Sequence, residues 1–205
     1  MVIFSVAAEK RALEALMAQA TQHPSGLLLD TAERYGSNLK TALGLGWGET
    51  EQLTRQLLCD NSPSPSTNVV ATKFTPSPWR TSVQSVVDAC EQSRARLNGA
   101  HSDLPIDLYQ LHMPDIVQPF KLIGQKPEPK DKIYWDGLAE CYHRGLIQNV
   151  GVCNYGPTLL MQCQEHLDKR GVPLASNQIA YSILGRNQGA QATVDKCQEL
   201  GIQTL

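Results

Sequence analysis

The sequence predicts an α/β fold of the TIM-type (β/α)8 barrel class. Short apolar strand-like runs alternate with helix-like segments along the 205 residues. The runs are apolar on both faces, which is typical of the parallel strands of a covered sheet. A polar residue lies at or near the end of five successive strands: Asp30, Lys73, His112, Asn154 and Gln178. Only the carboxyl-end mouth of a barrel gathers residues from so many strands, so a barrel is favoured over an open doubly wound sheet.

The individual elements follow from hydrophobic periodicity. Helices are predicted at 5–22, 49–59, 79–97, 133–145, 157–170 and 187–200. Strands are predicted at 27–30, 68–74, 106–112, 147–155 and 174–182, and another begins at 202. No GxGxxG follows the first strand, as an open dinucleotide-binding sheet would require. No linker divides the chain, so residues 1–205 are expected to form a single domain.

Two long connections follow strands that end in polar residues. Segments 36–48 and 114–131 exceed the usual length of a connection from strand to helix. They are predicted to shape a substrate pocket or lid, the alternative being plain surface loops. Trp79 lies just beyond the strand that carries Lys73 and is a candidate pocket residue, although ordinary packing explains it equally well.

Composition excludes several classes of protein. The net charge of -2 gives no basic surface for nucleic acid. No apolar run reaches the roughly 20 residues of a membrane span, and the first residues lack the basic region of a secretory signal. The 6 cysteines show no CxxC pair and no zinc-ligand spacing, so reduced core residues and no metal site are expected. These features together predict a soluble intracellular protein.

Four of the polar residues suit proton transfer. A charge at the end of an apolar strand is costly unless paired, so Asp30 and Lys73 are expected to pair with each other. Tyr35 follows the Asp30 strand closely, and a lysine ammonium beside a phenol makes it a stronger acid by stabilising the phenolate. Tyr35 is therefore predicted to give a proton to a carbonyl oxygen. His112 is predicted to donate a hydrogen bond to the same oxygen.

The remaining strand-end residues suit a cofactor. The four residues include no nucleophile-base pair and no paired carboxylates, so the other half of the reaction is expected to come from a cofactor. Asn154 and Gln178 carry amides that match the carboxamide of a nicotinamide ring. A Schiff-base isomerase or lyase that uses Lys73 is the less favoured alternative, because it gives Tyr35 no role.

Five strings in order along the chain carry a family resemblance. They are DTAERYG (30–36), ATKF (71–74), DLYQLHMP (107–114), GLIQNVGVCNY (145–155) and SNQIAYS (176–182). Together they resemble the aldo-keto reductase family, with plant and algal members, some of them plastid proteins, the most similar. The resemblance implies a (β/α)8 barrel that reduces aldehydes and ketones with NADPH, acting on a small-molecule carbonyl substrate in the cytoplasm or the plastid stroma.

By the same resemblance, Tyr35 is the acid, Lys73 the cation beside it, Asp30 the partner of Lys73, and His112 the carbonyl-orienting donor. These roles are carried over from the family's motifs.

The resemblance also extends to the nicotinamide contacts. Asn154 and Gln178 match the family's carboxamide contacts. Cys153 stands where the family usually has Ser, and its thiol is a weaker hydrogen-bond donor.

In family terms the chain begins at the first barrel helix and ends where the seventh strand starts. The expected barrel is therefore incomplete, lacking about the first strand and strands seven to eight. We expect these 205 residues alone to bind NADPH weakly or not at all. A catalytically incompetent fragment and a cofactor-sensing module on the same fold stay open as alternatives. The sequence carries no signal for the oligomeric state.

Overall fold

The computed structural model describes residues 28–35, 47–61, 68–115, 130–182 and 188–205, together with Arg11, Glu14 and Ala15. Its strands are β1 (Leu28–Asp30), β2 (Val69–Phe74), β3 (Ile106–Leu111), β4 (Ile147–Cys153), β5 (Leu174–Gln178) and β6 (Gln203–Thr204). Its helices are α1 (Glu49–Asn61), α2 (Val83–Asn98), α3 (Asp131–His143), α4 (Pro157–Asp168) and α5 (Gln188–Glu199). Strand and helix alternate as the sequence predicts.

The six strands form one parallel sheet in the order β1-β2-β3-β4-β5-β6. The sheet is strongly curled. In a flat sheet β1 and β5 would lie about 19 Å apart, at four spacings of about 4.8 Å. Instead, the Gln178 side chain at the end of β5 donates a hydrogen bond of 2.9 Å to Asp30 at the end of β1. The curl confirms the predicted barrel class, and the described strands form an incomplete (β/α)8 barrel.

The main core lies between the outer face of the sheet and the helices. Large buried side chains from both layers fill it, among them Phe74, Tyr109, Tyr134, Trp135 and Leu138. Burial of such side chains is the main source of stability for a sheet covered by helices.

Helices α2 and α3 pack closely. A Cβ added at Gly137 on α3 would lie 2.5 Å from the Cβ of Val86 on α2. A glycine is therefore needed where these two helices meet.

Several element boundaries differ from the predictions. β5 ends at Gln178 rather than at residue 182, and the largest shift at a helix end is at the start of α2. The helix predicted from residue 79 begins at Val83, because Ser82 forms a capping box with Ser85. The backbone N–H of Ser85 donates to the Ser82 hydroxyl at 3.2 Å, which satisfies a donor of the first helical turn. Residues 79–82 consequently belong to the connection after β2, and Trp79 is not on a helix.

Some predictions concern residues outside the described part of the chain. Of the helix predicted at 5–22, the structure describes Arg11, Glu14 and Ala15, which are helical. The remainder of that segment lies outside the described residues, as do residues 36–46 and 116–129 of the two long connections. Within the described ranges, no helix has both the length and the apolar character needed to cross a bilayer.

All six cysteines are free thiols. Cys59 on α1 is exposed, so the expectation that the cysteines are core residues is wrong at this position. The others are buried: Cys90, Cys141, Cys153, Cys163 and Cys197.

Candidate active site

The ion pair between Asp30 and Lys73 lies at the carboxyl end of adjacent strands. Lys73 is 1% exposed, and its Nζ lies 2.7 and 2.6 Å from the two carboxylate oxygens of Asp30. The carbonyl oxygen of Thr31 accepts a third hydrogen bond from Nζ at 3.0 Å. The buried ammonium is thus fully surrounded by acceptors, which offsets much of the cost of removing it from water. The structure brings together the two residues that the sequence predicts to pair.

The exposed side chain of Tyr35 places its hydroxyl beside this buried cation. A turn after β1, with the Tyr35 N–H bonded to the Ala32 carbonyl at 3.0 Å, brings the phenol back over the sheet. Its hydroxyl lies 3.4 Å from Lys73 Nζ, and Nζ lies 5.0 Å from the ring centroid. Tyr35 is 40% exposed, whereas Lys73 is almost fully buried. The phenol therefore connects the cation to the solvent-filled mouth.

His112 lies beside Tyr35. It follows β3 and is fixed by its backbone N–H, which donates to the Phe74 carbonyl at 2.8 Å. The two rings meet edge to face with their centroids 5.4 Å apart. Burial, reinforced by the positive charge of Lys73, lowers the pKa of His112 to about 4. The imidazole is consequently neutral near pH 7 and carries one N–H.

Asn154 and Gln178 lie at the same mouth. Asn154 ends β4 with a left-handed backbone (φ 62°), a conformation that asparagine tolerates better than most residues. This turn explains why β4 ends before the predicted residue 155. The Asn154 N–H bonds to the Gln178 carbonyl at 2.8 Å, and its side-chain amide lies 3.4 Å from the His112 carbonyl. The amide of Asn154 is exposed beside the predicted acid-base group.

Cys153 points to the interior below Gln178. Its thiol lies 3.4 Å from Gln178 Oε1, and burial raises the pKa of Cys153 to about 12. The side chain is therefore a neutral thiol that donates weakly to the Gln178 amide.

Trp79 is exposed in the connection after β2. It is 65% exposed, and its ring centroid lies 6.2 Å from that of Trp47, just before α1. Both aromatic rings therefore lie on connections at the carboxyl end of the sheet. Its role in a substrate pocket stays a prediction.

A further interior residue, Gln110, was not predicted from the sequence. It is fully buried on β3, and its Nε2 lies 3.4 Å from an oxygen of Asp30. Its Oε1 accepts from the Cys153 thiol at 3.7 Å and from the Ser176 hydroxyl at 3.5 Å. Gln110 thereby links the interior residues of β1, β4 and β5. The signal in the sequence was an amide between two large apolar residues, Tyr109 and Leu111, within the strand.

A second ion pair at the mouth was not predicted from the sequence either. The Arg80 guanidinium contacts both carboxylate oxygens of Glu33, at 2.5 and 3.0 Å. Glu33 is 2% exposed, and one of its oxygens also accepts the backbone N–H of Thr75 at 2.6 Å. Glu33 falls between Asp30 and Tyr35 in the sequence, but nothing in the sequence indicates that its partner is Arg80.

The donor set at the mouth fits a nicotinamide better than a metal ion. Among the described residues, no three His, Cys, Asp or Glu side chains cluster in a way that could hold a metal. The exposed amide of Asn154 and the partly exposed amide of Gln178 instead offer donors and acceptors of the kind a carboxamide requires. They lie at the same mouth as the Tyr35 and His112 pair.

Known proteins of one family are similar to this chain in sequence and in fold. The profile of the aldo/keto reductase family matches residues 7–205. The chain belongs to the aldo/keto reductase family. The chloroplastic pyridoxal reductase of Arabidopsis thaliana is 32% identical over 181 residues, covering 87% of this chain and 45% of that protein. The NADPH-dependent codeinone reductase 1-1 of Papaver somniferum is 32% identical over 82 residues, 38% of this chain and 25% of that protein. The chain thus spans less than half the length of these two curated relatives.

Solved structures of the family share the fold. A thermostable aldo-keto reductase in complex with the inhibitor epalrestat superposes with a TM-score of 0.68 at 22% identity, covering 98% of this chain and 61% of that one. The Bombyx mori aldo-keto reductase in complex with NADP gives a TM-score of 0.69 at 20% identity, covering 100% and 57%. The resemblance inferred from the five strings is therefore confirmed, as is its similarity to plant members.

Proposed function

We propose that the protein reduces an aldehyde or ketone to an alcohol, with hydride from NADPH and a proton from Tyr35. The observation that carries the proposal is that the hydroxyl of Tyr35, an exposed residue, lies 3.4 Å from the buried ammonium of Lys73. A phenol is a poor acid near pH 7 unless its conjugate base is stabilised, and a cation at this distance stabilises it.

Each neighbouring residue has a distinct part in the proton transfer. The Lys73 ammonium stabilises the phenolate that remains when Tyr35 has given up its proton. Asp30, in contact with Nζ through both oxygens, holds the ammonium in place. Neutral His112 donates its N–H to the carbonyl oxygen, which orients the substrate and stabilises the developing negative charge.

Asn154 and Gln178 are the residues we expect to hold the nicotinamide carboxamide. When bound, the cofactor supplies the hydride that reaches the carbonyl carbon. Gln178 already donates to Asp30 at 2.9 Å, which fixes the orientation of its amide. Cys153 contributes by holding the Gln178 oxygen rather than by contacting the cofactor with a strong donor.

An aromatic aldehyde in the plastid is the substrate class and compartment that we propose. The support is the match to the chloroplastic pyridoxal reductase, which extends over 87% of this chain. The exposed Trp47 and Trp79 rings at the mouth suit a flat aromatic substrate.

Kinetic tests require a chain that carries the complete barrel, because these 205 residues alone are expected to bind NADPH weakly or not at all. In such a chain the decisive experiment is Tyr35→Phe, assayed by NADPH oxidation with a panel of aldehydes that includes pyridoxal. We expect a loss of activity of about a hundredfold to ten-thousandfold, because the variant removes only the transferable proton. The melting temperature should stay near that of the wild type. Tyr142→Phe is the matched control, because Tyr142 lies near the end of α3 away from the mouth. Activity of Tyr35→Phe within a few-fold of wild type would contradict the proposed acid.

NADPH binding, aldehyde turnover and borohydride trapping together separate the competing functions. A cofactor-sensing module would bind NADPH without turning over any aldehyde in the panel. A Schiff-base enzyme would give a borohydride-trapped adduct on Lys73. Lys73 is poorly placed for that role, since it is 1% exposed and its Nζ contacts three acceptor oxygens.

A further inference from the structure

We propose that Thr75 is a positioning residue for His112, and that the Glu33–Arg80 ion pair holds Thr75 in place. In this arrangement the Thr75 hydroxyl donates to His112 Nδ1 and so places the imidazole proton on Nε2. This inference rests on the proposed function, in which His112 donates an N–H to the carbonyl oxygen. The Nε2–H tautomer provides that N–H.

The backbone of Thr75 is held on both sides. Its N–H donates to Glu33 Oε1 at 2.6 Å, and its carbonyl accepts from Arg80 Nη1 at 3.0 Å. The same Arg80 nitrogen contacts the same Glu33 oxygen. The three residues therefore form a closed ring of hydrogen bonds. A ring of this kind fixes the direction of the Thr75 side chain, which is 1% exposed.

Arg80 is itself held by aromatic rings. Its guanidinium carbon lies 4.7 Å from the ring centroid of Trp47 and 4.7 Å from that of Phe74. Cation–π contacts on a partly buried guanidinium stabilise its position beyond the ion pair alone. The Glu33–Arg80 ion pair thus joins the connection after β1, which carries Tyr35, to the connection after β2, which carries Thr75.

The tautomer of His112 follows from hydrogen-bond satisfaction. Thr75 Oγ1 lies 3.4 Å from His112 Nδ1, and among the described residues Nδ1 is the one acceptor in contact with that hydroxyl. If Nδ1 carried the imidazole proton, the buried Thr75 hydroxyl would be left without an acceptor, which is unfavourable for a buried donor. Donation from Thr75 to Nδ1 avoids this cost. A neutral imidazole that accepts at Nδ1 must carry its proton on Nε2.

The first measurement uses the unmodified protein. Two-bond proton–nitrogen NMR correlations of histidine distinguish the two neutral tautomers, and His112→Gln assigns the signals. We expect His112 to be in the Nε2–H form near pH 7 in the absence of substrate. A dominant Nδ1–H form would overturn the proposal, whatever the outcome of any activity assay.

The second measurement removes the hydroxyl. Thr75→Val keeps the shape of the side chain and the backbone N–H to Glu33. We expect a mixture of tautomers and a fall in kcat of about five- to twentyfold with KM changed by less than about threefold, as for the loss of one modest hydrogen bond used in the transition state. Thr75→Ser should restore both the tautomer and kcat.

Thr193→Val is the matched control, because Thr193 is a buried threonine on α5 whose hydroxyl donates to a backbone carbonyl. Wild-type kcat in Thr75→Val, together with an unchanged imidazole spectrum, would overturn the positioning role. If Thr75→Val fails to fold, the spectrum of the unmodified protein still decides the matter. Absence of carbonyl reduction in the wild type would contradict the proposed function, while the tautomer measurement would still test the position of Thr75.

Discussion

Two buried ion pairs lie on opposite faces of β2, and they differ in the further residues that contact them. Consecutive residues of β2, Thr72 and Lys73, point to opposite faces because side chains alternate along a strand. Lys73 faces the barrel interior and pairs with Asp30. Thr72 faces the helices, where its hydroxyl donates to Glu51 at 2.6 Å.

The outer ion pair lies between the sheet and the helices, with a fully buried carboxylate and a guanidinium that is 16% exposed. Glu51 on α1 is fully buried, and Arg96 on α2 contacts its other oxygen at 2.5 Å. Arg96 also donates to the hydroxyl of Ser93, which is fully buried. The contacts of Glu51 and Arg96 with Thr72 and Ser93 thus satisfy the pair within the layer between sheet and helices. We infer that this pair holds α1 and α2 against the sheet.

The inner ion pair has an outlet to solvent. Beside its carboxylate partner, Lys73 contacts the hydroxyl of Tyr35, a residue that is 40% exposed. Burial and short contacts alone therefore do not separate a structural ion pair from a candidate catalytic one. What separates them is a titratable third partner that can reach substrate, which we propose Tyr35 to be.

Among variants of the two ion pairs, Lys73→Met is expected to have the largest effect, and that effect is on activity. Removing the cation leaves the Tyr35 phenolate without its stabilising charge, so carbonyl reduction should fall by about a hundredfold or more. The assay is NADPH oxidation per folded molecule, with folding followed by circular dichroism. Wild-type turnover in this variant would show that the two ion pairs do not differ in the way proposed.

Arg96→Met should affect stability instead. Breaking a buried pair leaves the Glu51 carboxylate without its partner, which typically costs about 3–5 kcal/mol of the free energy of unfolding. Urea titration measures this loss. The kcat of the folded fraction should stay within about twofold of wild type, because Arg96 lies behind the sheet. A large fall in kcat without a loss of stability would contradict the structural role.

The smallest effect concerns the pH dependence of the inner face. The pKa of His112 is about 4 in the folded protein against an ordinary 6.5, so between these values the unfolded chain binds more protons than the folded one. The free energy of unfolding should therefore decrease as the pH falls from about 6.5 to 4 and be unaffected by His112 above that range. His112→Gln should flatten this slope in urea titrations at stepped pH. His101→Gln, on the exposed turn after α2, is the histidine control, and an unchanged slope in His112→Gln would disprove the burial of a neutral imidazole.

Much of the site was predictable from residue type and position at strand ends. Polar residues after apolar strands predicted that Asp30, Lys73 and His112 converge, because parallel strands present their carboxyl ends at one edge. The phenol of Tyr35 was predictable from its place close behind Asp30. The start of α2 was placed too early, since periodicity alone does not reveal which serine caps the helix.

Partners chosen across strands were not predictable. Arg80 is 47 positions from Glu33, and Gln178 is 148 positions from Asp30. No local pattern links such residues, because the contact depends on how far the sheet curls and on where each connection returns. Gln110 was overlooked for the same reason, since a single amide in a strand has no evident partner until the interior is assembled.

The sequence by itself determined the order of strands and helices, the parallel sheet and the four residues of the proposed acid-base group. These follow from local periodicity and from the cost of leaving a charge unpaired at the end of an apolar strand. The tertiary structure decided which of two buried ion pairs faces solvent through a tyrosine, and which residue contacts Nδ1 of the neutral His112. Both depend on distances between strands and connections far apart in the chain, which only the curl of the sheet sets.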